Sequence, residues 1–259
     1  MAGLEAEHQS REDRKGPPAH GPKQSIPKAP LDGNFFAGMD VDTFPGDDVM
    51  KSLIKNTNLK WTGFYLTPAP SQGHNLKWMG KHDFLRGLGW GIAPIYVGRQ
   101  VKSIPKTDHR ITPENGTIDG GHAAQLARSA NFKFGAIIYL DFENGAPLED
   151  VQKAYYKTWA TAIRSNGFKP GVYCISTLAA GLFATVPDGA IWVANYSKFP
   201  KKLFKPPFPQ PNPLEGGFKA SLWQLRGNIT IEYDHIDGKK KHTVVDLNSA
   251  DRQDPSGIT

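Results

Sequence analysis

The chain has one cysteine, Cys174, among 259 residues, which excludes an intrachain disulfide, a disulfide scaffold and a cysteine-rich metal site. Its flanks, Gly171-Val172-Tyr173-Cys174-Ile175, read as a buried strand, so the thiol is expected to be structural. Long apolar runs are also missing. None approaches the ~18 residues that a membrane-crossing helix needs, and no membrane partner is expected. The polar stretch 1–33 has neither an apolar h-region nor a twin arginine, so it reads as a flexible leader and not as a signal peptide. No H-E-x-x-H or similar ligand spacing occurs. A divalent ion held by acids together with His74, His109 or His122 is therefore disfavoured, and no metal or cofactor is expected.

Charge is present but dispersed. The net charge of +6 favours an anionic partner, yet the two basic clusters, Lys201-Lys202 with Lys205 and Lys239 to Lys241, lack the interleaved aromatics of a nucleic-acid module. A hydrophobic content of 39% is enough for a substantial core. The length suits one α/β barrel, which ordinarily runs to roughly 250 residues.

From Phe35 onward, strand and helix signals alternate, as in a parallel α/β fold. The expected strands begin with Phe35 to Val41, Trp61 to Leu66, Gly91 to Val97 and Ala136 to Asp141. Gly171 to Ile175, Ala190 to Asn195, Ala220 to Leu225 and Thr243 to Leu247 follow. Pro94 suggests a bulge or strand end. A first helix with Asp47 or Asp48 as cap and Val49, Met50, Leu53 and Ile54 as stripe is expected, then one near Trp78 to Leu88. A long polar loop over 98–119 leads to a short helix ending near Asn131. The clearest helix carries Val151, Ala154, Tyr155, Trp159, Ala162 and Ile163 on one stripe and stops at Asn166-Gly167. The proline-rich stretch 199–219 cannot form a regular helix, and Ile229 to Val245 reads as a hairpin turning at Asp237-Gly238. Eight strands fit a single (β/α)8 TIM-like barrel over 34–252 with its later helices reduced to loops, followed by a tail at 253–259.

The apolar run Ala136-Ile137-Ile138-Tyr139-Leu140 ends in Asp141-Phe142-Glu143. Strand side chains alternate, so the two acids project from one face, about 7 Å apart. Carboxylates at the end of a buried strand are costly in a core and useful at an active-site mouth. Asp40 and Asp42 end the first strand and Asp246 the eighth, and in a closed barrel those strands are neighbours, with the fourth across the mouth. Tyr65, Tyr96, Tyr139, Trp192, Tyr196 and Trp223 lie on or near strands, a set suited to stacking on sugar rings.

The motifs Gly38-Met39-Asp40-Val41, Leu140-Asp141-Phe142-Glu143, Pro170-Gly171-Val172-Tyr173, Ile191-Trp192-Val193-Ala194-Asn195-Tyr196, Leu222-Trp223-Gln224 and Val245-Asp246-Leu247-Asn248 resemble, in the same order, those of glycoside hydrolase family 25, the N-acetylmuramidase lysozymes. Residues from about 35 to 250 resemble more closely still a glycoside-hydrolase-like domain family of unknown function that shares this barrel. The resemblance implies Glu143 as catalytic acid, with Asp141, Asp40 and Asp246 completing the acidic cluster. Asp42, Tyr65, Tyr96, Tyr139, Asn195, Tyr196, Trp223 and Gln224, on strands or near their ends, are expected as substrate contacts. Family 25 usually has a serine in place of Asp42 and lacks the 98–119 and 199–219 insertions.

A glycosidase needs one carboxyl held protonated and another group to stabilise an oxocarbenium-like state, and crowding acids in one mouth favours the protonated form of one of them. The expected reaction is hydrolysis of β-1,4 bonds in peptidoglycan or a related amino-sugar polymer. Asp141 acts as nucleophile or orients a substrate acetamido group. The alternative is a barrel that binds saccharide and no longer turns it over. A monomer acting on a polysaccharide is expected. Without a visible signal, it would reach the cell envelope or the exterior by a non-classical route, or stay in the cytosol as a lysin or effector before delivery.

Overall fold

A computed structural model describes residues 34–72, 77–100, 111–143 and 147–258. The chain divides into two units, Met1–Leu31 and Asp32–Thr259, and all described residues belong to the second. Eight strands form a closed barrel in chain order: β1 (Phe36–Asp40), β2 (Leu59–Tyr65), β3 (Gly91–Val97), β4 (Ile137–Asp141), β5 (Lys169–Ile175), β6 (Ala190–Ala194), β7 (Ala220–Asp234) and β8 (Lys240–Ala250). The helices between them are α1 (Asp47–Asn56), α2 (His82–Gly87), α3 (Pro113–Ser129), α4 (Asp150–Ser165) and α5 (Ala179–Thr185). After β6 the connection carries only a 3₁₀ turn at Pro213–Glu215, as the prolines of 199–219 require. That stretch still packs on the barrel: Phe208 is buried, and Asn58 bonds both its carbonyl and its amide, at 2.8 and 2.6 Å.

The last strand departs from a parallel barrel. β8 runs antiparallel to both β7 and β1, because the hairpin around Asp237-Gly238 returns the chain at once, with no helical crossover to restore direction. Asp246 was expected at the C-terminal end of its strand. It lies inside β8 and reaches the upper rim because β8 enters the barrel from above. The outer part of the hairpin extends over α1, where Asn56 donates to the Asp234 carbonyl at 2.6 Å and the Ile236 amide to Ser52 Oγ at 3.0 Å.

Other local expectations need correction. In α1 the N-cap is Gly46, and Asp47 and Asp48 occupy the first turn, where they favour the helix dipole without capping it. Pro94 sits inside β3 opposite Phe64; Ile95 accepts from Leu66 at 2.8 Å, so the Pro94 nitrogen points toward β4, whose pairing starts one residue later at Ile95↔Tyr139. α2 is shorter than the 78–88 span. α3 has 17 residues, where a loop followed by a short helix was expected. Thr112 caps it by accepting from the Asn115 amide at 3.2 Å, and Pro113 opens it. Two of its glycines serve packing on α4: a Cβ at Gly116 would stand 2.4 Å from the Tyr155 carbonyl oxygen and one at Gly120 2.6 Å from the Trp159 carbonyl oxygen. On α4, Tyr155, Trp159, Ala162 and Ile163 are buried, whereas Val151 is exposed.

The barrel interior is filled by Trp61, Ala93, Ile95, Ile137, Tyr139, Trp192, Leu222 and Ala250. Trp192 is its hub, meeting Trp61, Tyr139 and Tyr173 edge-to-face at centroid distances of 5.5, 5.7 and 5.5 Å. Residues 253–258, expected to trail as a tail, instead bond the lower strand ends. Ser256 accepts from the Ile137 amide at 2.8 Å and Asp254 from the Ile92 amide at 3.0 Å. The lower end is thus closed, and the open chemistry lies at the upper rim.

Candidate active site

β1 and β8 bring two acids together by register. Asp40 pairs directly with Asp246 across the seam, so both side chains leave the sheet on one face. Asp40 is only 5% exposed, and a carboxylate so buried needs partners. Tyr65 OH donates to its Oδ1 at 2.9 Å and Asn248 Nδ2 to its Oδ2 at 2.8 Å. Asn248 is held in turn by the Trp192 indole N–H, which donates to Oδ1 at 3.1 Å. Room for Asp40 comes from Gly63 on β2, where a Cβ would stand 2.6 Å from Asp40 Cβ.

Asp246 has its own donors. Gln224 Nε2 donates to Oδ2 and the Asn228 amide to Oδ1, the latter at 2.7 Å. Oε1 of the same Gln224 side chain accepts from both Tyr173 OH and Tyr196 OH, the latter at 2.8 Å. Two register shifts in β7, between Gln224 and Arg226 and between Arg226 and Ile229, turn the strand at this rim. They place the Arg226 guanidinium 5.3 Å over the Tyr196 ring, a cation–π contact.

β4 supplies the second pair of acids. Asp141 ends the strand between Val97 and Tyr173 and is half-buried, while Glu143 lies just beyond and is exposed. Between them Phe142 is buried and its amide donates to the Tyr173 carbonyl at 2.9 Å, which turns Glu143 back to the Asp141 side. Gln100, just past β3, donates from Nε2 to the Asp141 carbonyl at 2.9 Å and accepts from the Glu143 amide at 3.1 Å.

The electrostatics tie these acids to one mouth. Burial pushes the Tyr65 phenol well above its ordinary range, and the charges of Asp40, Asp141 and Asp246 push it further. Burial does the same to Tyr173, with Tyr196, Glu143, Asp141 and Asp246 adding to it. Both phenols stay protonated as donors. Carboxylates from β1, the β4 end and β8 thus converge on two tyrosines, giving a fixed negative field able to stabilise a cationic transition state or to hold a polar, hydroxyl-rich ligand.

Four expected substrate contacts are not at this mouth. Tyr96 faces outward from β3, fully buried, with its OH 3.2 Å from His122 Nδ1 of α3; this also places His122 away from the acids. Tyr139 points down the barrel and donates to the Pro255 carbonyl at 2.9 Å. Trp223 is fully buried on the outer face of β7, donating to the Asn195 carbonyl at 2.9 Å and packing on Phe199. Asn195 uses its side chain on the Gly216 carbonyl and on Ser197, securing a loop. Asp42 is exposed just past β1, and its carbonyl accepts from the Trp78 indole at 2.9 Å. Tyr65, Tyr196 and Gln224 do reach the mouth. His74 and His109 lie outside the described residues. Cys174 is buried, and burial alone pushes its thiol up to about 12, consistent with a structural role.

Three site residues escaped the reading of the sequence. Tyr173 and Asn248 each lie two positions beyond a residue on an inward face, Gly171 and Asp246, and a strict period of two would have found them. Gln100 follows the strand end with no pattern to mark it.

Solved structures with the same fold include the catalytic domain of endolysin ply40 from bacteriophage P40 of Listeria monocytogenes, with 12% identity, a TM-score of 0.54, and coverage of 84% of this chain and 93% of that domain. The modular autolysin LytC of Streptococcus pneumoniae has 16% identity and a TM-score of 0.56, over 83% of this chain and 46% of that one. The Tat-secreted protein Rv2525c of Mycobacterium tuberculosis, solved with L-tartrate, has 17% identity and a TM-score of 0.53, over 82% of this chain and 94% of that one. No curated protein matches the chain. Residues 52–250, well over half of the sequence, match the Rv2525c-like, glycoside hydrolase-like domain, and the chain belongs to that family.

Proposed function

We propose that this protein is a glycosidase that cleaves β-1,4 bonds in peptidoglycan or a related amino-sugar polymer, with Glu143 as general acid. The observation that carries this reading is the direct pairing of Asp40 with Asp246 across the β1–β8 seam, with Asp141 ending β4 and Glu143 just beyond it, and the charges of these acids raise the buried Tyr65 and Tyr173 phenols further. Asp40 and Asp246 each accept protein donors on both oxygens, so they act as fixed negative charges that orient the sugar. The Glu143 carboxylate is exposed and accepts no hydrogen bond among the described residues. It can therefore reach a leaving-group oxygen and deliver a proton to it. Asp141, deeper at the strand end, attacks the anomeric carbon or orients the substrate acetamido group that does so. Tyr196 on the rim and Tyr65 below it offer ring surface to the sugars. The names endolysin and autolysin borne by two proteins of this fold favour a cell-wall glycan as substrate, and the net positive charge suits an anionic wall.

Glu143→Gln should abolish release of reducing ends from purified peptidoglycan while the circular dichroism spectrum stays unchanged; wild-type turnover in that variant would remove Glu143 from the mechanism. The commitment of Asp40 and Asp246 to protein donors also suits a barrel that binds saccharide without cleaving it. Binding heat without soluble products over long incubation at several pH values would favour that second reading.

A further inference from the structure

We propose that Gln100 is the positioning residue that sets Glu143 against Asp141. This rests on the glycosidase reading, in which those two acids must hold a fixed separation. β4 ends at Asp141, so Glu143 lies beyond the strand that would otherwise fix its backbone. The primary amide of Gln100 spans the gap, donating to the Asp141 carbonyl at 2.9 Å and accepting from the Glu143 amide at 3.1 Å. One planar group thus grips the tripeptide 141–143 at both ends, while the buried Phe142 ring and the Phe142–Tyr173 backbone bond fix its middle. No other protein acceptor for the Glu143 amide occurs among the described residues.

Gln100 is itself anchored from the other side. The Arg99 guanidinium bonds both oxygens of Asp119 on α3, at 2.9 and 3.4 Å, a planar fork that fixes orientation as well as distance. Asp119 is 2% exposed and accepts also from Tyr155 OH of α4 at 2.7 Å. The same Tyr155 oxygen accepts from the Arg99 amide at 3.3 Å. The backbone at 99–100 is therefore tied to the α3–α4 pair, and the helices outside the barrel set the geometry of the acids at its mouth. Gln is suited to this position because one side chain supplies a donor and an acceptor side by side. Alanine supplies neither, and glutamate keeps an acceptor for Glu143 but loses the donor to Asp141.

The test compares the wild-type chain with Gln100→Ala and Gln100→Glu by amide hydrogen exchange and by steady-state kinetics on soluble peptidoglycan fragments. In Q100A the Glu143 amide should exchange at least ~10-fold faster while Tyr139 and Leu140 are unchanged, and kcat should fall ~10- to 100-fold with KM nearly constant, the pattern of lost alignment. Q100E should restore protection of the Glu143 amide and part of kcat. Unchanged exchange at Glu143 in Q100A, or a raised KM with kcat preserved, overturns the assignment. A wild-type chain that exchanges as expected but releases no product defeats the glycosidase reading instead, and the exchange data still decide whether the clamp exists. Should Q100A not fold, loss of Glu143 protection in Q100E would overturn the clamp by itself.

Discussion

Asn248 holds Asp40 in place: its Nδ2 donates to Asp40 Oδ2 at 2.8 Å while its Oδ1 takes the Trp192 indole N–H at 3.1 Å. The pair links the acidic rim to the central ring of the barrel core. Asn248→Ala removes a donor to a buried carboxylate and the acceptor of a buried indole. At about 1–3 kcal/mol for each of the two buried groups deprived of a partner, the variant should lose about 2–6 kcal/mol. That corresponds to a melting temperature lower by about 5–15 °C for a domain of this size. A melting temperature within about 2 °C of wild type, by calorimetry, would contradict this.

Gly63→Ala tests how tightly Asp40 is seated. The added Cβ would stand 2.6 Å from Asp40 Cβ and 2.8 Å from Ile95 Cδ1. The Ile95 methyl can rotate away, but Asp40 can move only by straining its bonds to Tyr65 or Asn248. Overpacking of this kind costs about 1–3 kcal/mol, and turnover should fall along with stability. Gly121→Ala is the control: it lies within α3 with nothing inside 4 Å of its Cβ, and it should stabilise by about 0.5–1 kcal/mol. Equal urea midpoints for the two variants would show that Asp40 is not tightly packed.

Stability should fall on both sides of a neutral plateau. The Lys239 amide holds Asp237 below its ordinary range, the Arg164 guanidinium does the same for Asp188, and Lys153 for Asp150. A carboxyl depressed in the folded state contributes stability above its unfolded value near 4 and loses it as pH falls through the folded value. These three sites are largely exposed, so solvent screening keeps each contribution small. On the alkaline side, burial raises the phenols of Tyr65, Tyr139, Tyr155 and Tyr173. Their raised values keep full stability below the unfolded value near 10, and it is lost as pH climbs above that. Urea midpoints at about pH 3, 7 and 11 measure this. A midpoint at pH 11 equal to that at pH 7 would mean that the phenols reach solvent.

The elements of the barrel were legible because their signals are local. An apolar run bounded by turn residues identifies each strand whatever surrounds it, and the α4 stripe and the Asp237-Gly238 turn are fixed within a few residues of themselves. The Asp141/Glu143 pair was visible for the same reason, since two acids closing an apolar strand break a pattern otherwise continuous. The first turns of α3 read as part of a polar loop because they carry almost no apolar stripe, and only the close approach of Gly116 and Gly120 to α4 shows why a helix runs there.

Facing was not legible. β3 is apolar on both sides, as strands covered on both faces are, so nothing in its composition says that Tyr96 points outward while Ile95 points inward, and in β7 the alternation of Trp223 and Gln224 does not say which of the two faces the barrel interior. The sequence by itself determined eight strands, a barrel and a rim carrying acids. Asp40 and Asp246 were expected side by side on neighbouring strands, but only the tertiary structure decided that Asp246 lies inside β8 in direct register with Asp40, that Tyr173 joins Tyr65 among the carboxylates, and that Gln100 grips the acid pair. Each of those depends on atoms brought together from different strands, across the closing β1–β8 seam for Asp246 and Asp40 and between neighbouring strands for Tyr65 and Gln100, and no local periodicity encodes such a meeting.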